Sequence, residues 1–311
     1  MKYMAWGIAV CLLAGGAGAA AAAGASAAGV DGLISAAVAA AEGLAHKDVA
    51  EVQSDDAGVG VTDWTEGYVE VTAIGTANLA LAQSKAHALS QAEETARALA
   101  YRKLAERIYG VTVNSTVTVA GAVAADDKLV AVTSGLIRDA HEVKVTHEIL
   151  DDGSVLCAVT LAVPMKTARG LAGLAAQLNP ATGAPLYAPA AALPAAGDYT
   201  GVVIDATGLS VNPALCPSLL TEDGRVVYGA GTLGASRVST LGVATYAKTL
   251  DQAKEKGAGA KPLVIQALKA VGEYACDLVL PGPLVDALFA LQTEKNVVDG
   301  GHVIILTRGV E

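Results

Sequence analysis

Gly229-Ala-Gly231-Thr-Leu-Gly234 is the stretch of this chain that most resembles a chemical device: a GxGxxG that follows the apolar run Val226–Tyr228. In a dinucleotide site the first two glycines permit a tight turn and the close approach of a pyrophosphate. The third lets helix pack on strand, and the helix N-terminus meets the phosphate charge. Asp251 stands 17 positions beyond Gly234, near where a ribose-binding acid belongs. The surroundings favour a plain glycine loop. After Gly234 the sequence ASRVSTLGVATYAK holds β-branched residues and Gly242 where a firm helix is required. The preceding strand reads as the second arm of a hairpin over Glu222-Asp223-Gly224 rather than the first strand of a βαβ unit. With 34 glycines in 311 residues, chance matches are frequent. A nucleotide site at Gly229, Gly231 and Gly234 is therefore the alternative reading, and no cofactor is expected.

Other reactive residues are scattered. Asp205-Ala-Thr-Gly could place an aspartate at a strand end, but an Asx turn explains it without a second acid or lysine. His141 and His147, six apart on one predicted strand, share a face by the period of two, and no third metal ligand accompanies them. Once a leader is removed, Cys157, Cys216 and Cys276 remain, far apart and odd in number; they read as buried small hydrophobes, not a zinc site. No GxSxG elbow and no Cys/His signature occurs. No catalytic residue and no metal ligand is assigned, and the chain is read as a non-enzyme.

The elements that would carry these residues fall into two groups. Gly67–Gly75 alternates as a half-buried strand, with Val69, Val71 and Ala73 on one side. A long helix over 79–109 follows, its stripe formed by Ala86, Leu89, Ala96, Ala100 and Leu104, with Glu93–Arg97 and Arg102–Glu106 as surface pairs. Val111–Val119 reads as a strand, 139–150 as another, and Asp151-Asp152-Gly153 as a hairpin turn into 154–163, before a short helix over 165–178. This order predicts an α+β domain over 64–178, a sheet with one long helix packed on it. Prolines 180, 185, 189 and 194 mark an interdomain linker over 179–197. A second, mixed α/β domain fills 198–311. Its strands are predicted over 199–206, 215–220, 225–228, 275–280 and 302–307, its helices over 283–295 and part of 243–256, and 263–271 is apolar without a clear type.

The opening residues predict export. Lys2 precedes the apolar run Gly7–Leu13 and an Ala/Gly tract with Ala-x-Ala sites between Ala17 and Ala27, which reads as a signal peptide over 1–28. Val10 before Cys11 is unlike a lipoprotein signal, so no lipidation is read. Residues 29–63 are expected to be a flexible leader holding a short helix near Leu33–Leu44. A net charge of −10 with no dense Lys/Arg run excludes nucleic-acid partners. The 53% apolar share contains only 4% aromatics, so the core is to be built from Ala and Val.

With these segments in place, the chain resembles a family of bacterial envelope proteins. Gly67-Tyr-Val-Glu-Val-Thr-Ala-Ile-Gly75, the helix residues Ala86, Arg97, Ala98 and Ala100, and Gly110-Val-Thr-Val113 resemble the domain of small outer-membrane lipoproteins of the LPP-twenty type. They also resemble the N-terminal part of the flagellar H-ring/T-ring protein FlgT. Tyr199-Thr-Gly-Val-Val-Ile-Asp-Ala206, Pro213, the Glu222-Asp-Gly224 turn and Val227-Tyr228-Gly229 are similar to the domain that often follows it. The resemblance implies a structural protein of the periplasm or outer membrane that works through contacts with other envelope proteins. Flagellar basal-body components, further copies of itself, and peripheral association with the outer membrane are the partners it implies.

Overall fold

The computed structural model describes residues 25–178, 185–189, 193–194, 197–295 and 303–308. The first lobe runs α1 (Ala25–Lys47), β1 (Ala50–Asp55), β2 (Gly58–Asp63), β3 (Tyr68–Asn78), α2 (Lys85–Gly110), β4 (Thr112–Asn114) and β5 (Val117–Thr118). It continues through α3 (Val119–Ala125), α4 (Asp127–Arg138), β6 (His141–Ile149), β7 (Ser154–Pro164) and α5 (Leu171–Leu178). Five strands pair antiparallel in the order β1-β2-β3-β7-β6.

Alanine at four-residue spacing sets the main packing of this lobe. Ala88, Ala92, Ala96 and Ala100 of α2 are fully buried against Val69, Val71, Ala73 and the same face of β7. Small side chains let the helix lie directly on the sheet. A Cβ on Gly75 would stand 2.2 Å from the Ala92 carbonyl oxygen and 2.3 Å from the Ala96 amide nitrogen, so backbone meets backbone there. Further along, Lys103 and Arg107 join the buried stripe by their stems. Their heads reach Asp55 from Lys103, and Thr62 and the Glu51 carbonyl from Arg107.

The mixed α+β class stands, but several elements differ from the sequence reading. Residues 29–63 are not a flexible leader: α1 and the β1–β2 hairpin occupy them. Leu33, Ala37 and Ala41 of α1 cover the second face of the sheet, over Val59, Val61, Ile74, Leu156 and Ala158. The alternation of β2 is hidden because its other face carries Gly60 and Thr62, which the Arg107 side chain covers. The stretch 111–119 is a small hairpin rather than one strand. The Asn114 carboxamide oxygen accepts from the Thr116 and Val117 amides and reverses the chain. Helices α3 and α4 then start at Thr118 and Asp126, whose side chains accept from Gly121 and Lys128.

The second lobe runs β8 (Val202–Asp205), β9 (Leu219–Leu220), β10 (Val226–Tyr228), α6 (Ala230–Leu233), α7 (Ala235–Leu241), β11 (Thr245–Ala247) and α8 (Leu250–Ala253). A wide turn over Lys254–Ala258 leads to β12 (Leu263–Gln266), β13 (Lys269–Val271), β14 (Asp277–Val279), α9 (Gly282–Lys295) and β15 (Val303–Leu306). One sheet, β11-β15-β8-β12, is entirely parallel, and its strands are apolar on both faces, as Val202–Ile204 and Val303–Ile305 illustrate. The other, β10-β9-β14-β13, is mixed.

The lobes share one apolar core that runs from Val69 and Ala96 to Ile204 and Ile305. Backbone bonds cross between them: Leu215 and Cys216 donate to Thr112 and Val113, at 3.0 and 2.7 Å, and Tyr274 donates to Ser115. Trp64 meets Tyr246 edge-on, with ring centroids 5.7 Å apart. The linker expected over 179–197 lies largely outside the described residues. Its described part is tied down, since Pro185 and Tyr187 exchange backbone bonds with Val226 and the Tyr187 hydroxyl donates to Asp286 at 2.7 Å.

Candidate functional site

Helices do begin at the glycine loop, but they are short and the loop donors are used within it. The Gly229 amide donates to the Thr232 hydroxyl at 3.0 Å, and that hydroxyl donates back to the Gly229 carbonyl at 2.8 Å. The amides of Thr232 and Leu233 also close onto Gly229, and that of Gly234 onto Ala230. A phosphate cradle needs such N–H groups aimed outward. Gly234 holds a φ of 79° and separates the four-residue α6 from the seven-residue α7. Topology is equally unlike a dinucleotide fold. β10 pairs antiparallel with β9, whereas β11, the next strand, belongs to the other sheet. Asp251 is highly exposed on α8 and pairs with Lys254 at 3.0 Å.

The remaining reactive residues are dispersed. The Asp205 carboxylate accepts from the Thr207 amide and hydroxyl at 3.0 and 2.7 Å, forming an Asx turn. His141 and His147 do not share a face. A bulge between Glu142 and Lys144 shifts the register, so His141 stands opposite Ala162 and His147 opposite Cys157. His147 then meets Glu93 of α2 at 3.1 Å. Among the described residues, no group of His, Cys, Asp and Glu is arranged to hold a metal ion. Cys157, Cys216 and Cys276 are buried free thiols. Burial pushes Cys157 up to about 11 and Cys216 up to about 12, and raises Cys276 as well, which keeps all of them un-ionised and poorly nucleophilic.

A cluster of ionisable groups lies elsewhere, beside the junction of the lobes. Asp63 ends β2, wholly buried; it accepts from the Glu66 amide at 2.8 Å and is hydrogen-bonded to Tyr68, directly opposite on β3. Burial raises its pKa to about 6, with Asp48 and Glu66 adding like charge. Glu70, on the same face of the sheet as Asp63, is raised to about 7 by burial alone. Lys166, just beyond β7, donates to the Thr245 hydroxyl of the second lobe at 2.7 Å and is lowered to about 8 by burial, with the Lys256 charge second. Glu66 pairs with Lys256, and the Gln252 amide donates to Asp48 at 2.6 Å. Sequence reasoning passed over this cluster, because Asp63-Trp-Thr-Glu66 looks like a solvated turn. Its partners Thr245, Lys256 and Gln252 belong to the second lobe, distant in the chain.

Further along the same face of the sheet, a shallow cleft runs between α1 and β6. Leu33, Ile34 and Ala37 line one wall and Thr72, Thr160 and Lys144 the other, with the two threonine hydroxyls bonded at 2.9 Å.

Residues 201–309 match a family model described as the second domain of Treponema pallidum Tp0624. The match covers the second lobe. No curated protein matches the chain. Among the described residues, no helix is long and apolar enough to cross a membrane.

Proposed function

We propose that this is an exported structural or assembly protein of the bacterial cell envelope, acting through protein–protein contacts in the periplasm or at the outer membrane. The observation that carries the reading is the N-terminal sequence: Lys2, the apolar run to Leu13, and the Ala-x-Ala sites before Ala28. The fused lobes, with one core and crossing backbone bonds, suit a rigid block that presents surfaces to neighbours. The narrow form of the reading places it beside flagellar basal-body components. Fractionation tests the broad form: the mature chain, lacking its leader, is expected with periplasmic or outer-membrane markers. Its recovery in the cytoplasm with the leader intact overturns the proposal. Pull-down from intact envelopes tests the narrow form through the identity of the co-purifying chains.

A nucleotide-binding reading keeps one favourable observation, that α7 starts at Ala235 directly after Gly234. The inward-turned amides of Thr232, Leu233 and Gly234 oppose it. Calorimetry with NAD decides it, and no heat of binding is expected.

A further inference from the structure

We propose that the junction around Asp63 is a pH-sensitive latch, holding the two lobes together most tightly in acid and loosening as the medium passes through neutrality.

The geometry supplies the reason. Asp63 is buried beside the contact between the lobes: Trp64, next in the chain, packs on Tyr246, and Glu66, whose amide donates to Asp63, pairs with Lys256. Charged and titratable groups face it from each neighbouring element. Asp48 comes from the α1–β1 turn, Glu66 from the following turn, and Tyr68, hydrogen-bonded to Asp63, from β3, with Glu70 beside Tyr68. Lys166 comes from the segment after β7. From the second lobe, Lys256 reaches Glu66, Gln252 reaches Asp48, and Lys248 donates to the Ala45 carbonyl at the end of α1. An ionised Asp63 adds a further negative charge to Asp48 and Glu66 in a site from which water is excluded. A protonated Asp63 adds none and becomes a donor itself.

The direction follows from linkage. Asp63 and Glu70 bind protons more tightly in the closed protein, at about 6 and 7 against ordinary values of 3.8 and 4.5. Their contribution is full in acid and is lost as pH rises through the raised values. Lys166 acts on the other limb. Lowered to about 8 from 10.5, it penalises the closed state below that value and ceases to do so in alkali. The junction is therefore weakest between about pH 7 and 8 and gains on either side.

Hydrogen exchange on the full chain, corrected for intrinsic rates, tests this at 63–67 and 245–256. For Asp63 alone, the local opening constant is expected to rise about tenfold from pH 5 to 7.5. Asp63→Asn keeps the acceptor for the Glu66 amide but cannot titrate, and should flatten that rise, leaving the share due to Glu70. An identical pH profile in wild type and variant, or junction exchange that slows towards neutral pH, overturns the proposal. Should Asp63→Asn fail to fold, Lys166→Met examines the alkaline limb. Wild type is expected to tighten between pH 8 and 10 and Lys166→Met to stay level. A variant that tightens as wild type does counts against the latch.

Discussion

At the scale of single residues, the glycines separate two roles that the sequence could not distinguish. Gly75 lies where helix touches strand, and the methyl of Gly75→Ala would overlap the Ala92 carbonyl. A loss of about 3 kcal/mol is expected from chemical denaturation. Gly231, in contrast, has open space where a Cβ would sit within α6. Gly231→Ala should be neutral or stabilise by roughly 0.5 kcal/mol, from its better helix propensity. A loop that bound pyrophosphate would instead lose its ligand through this change, so the same variant examines the nucleotide reading. Glu70 gives a pH-dependent case. Its raised pKa of about 7 means that the folded protein resists its ionisation. Glu70→Gln should therefore stabilise by about 2 kcal/mol at pH 8 and by little at pH 5. Equal effects at both values would show that burial does not govern this carboxyl. The α2 stripe shows the limit of periodicity. Ala96, Ala100 and Leu104 are buried as expected, while Ala86 is exposed and Ala88 and Ala92 take the inner positions. In a helix with alanine on every side, small residues do not mark which face is inner.

Among elements, those with plain alternation or turn chemistry were legible. β3, the β6–β7 hairpin over Asp151-Asp152-Gly153, and the β9–β10 hairpin over Glu222-Asp223-Gly224 stand where the pattern put them. The α1–β1–β2 unit was not. Its helix looks like a continuation of the Ala-rich leader, and its hairpin shows Gln, Ser and Asp on a strand whose exposed end favours them. What the sequence reading took for a tether is half of the lobe's second layer. Ala41, 1% exposed, is packed with Val59 and Val61. Ala41→Asp would bury an unpaired carboxylate there, at a cost of about 3 kcal/mol or more. A flexible leader would tolerate the change, so an unmoved urea midpoint would contradict the packing. The histidine pair illustrates how one inserted residue defeats a parity argument. The bulge in β6 turns a spacing that promises one face into two.

At the scale of the whole molecule, the prolines mark a boundary between two domains, and the structure joins them into one core. Strand β4 of the first lobe is bonded to Leu215 and Cys216 of the second, and Trp64 packs on Tyr246. Such contacts join segments far apart in the chain, so neither composition nor periodicity announces them. Tyr246 is their keystone. Its hydroxyl accepts from the Ala214 amide at 2.9 Å and donates to the Ala214 carbonyl at 3.0 Å, and its ring meets the first lobe. Tyr246→Phe leaves that buried amide without an acceptor, which should cost about 1–3 kcal/mol. Because the core is continuous, the loss should reach both lobes together. Trp64 fluorescence, a first-lobe signal, and far-UV circular dichroism, a signal from the entire chain, should report one transition. Both should move to lower denaturant by the same amount in the variant. If Trp64 fluorescence kept its wild-type midpoint while the dichroism shifted, the lobes would unfold separately and the shared core would not couple them.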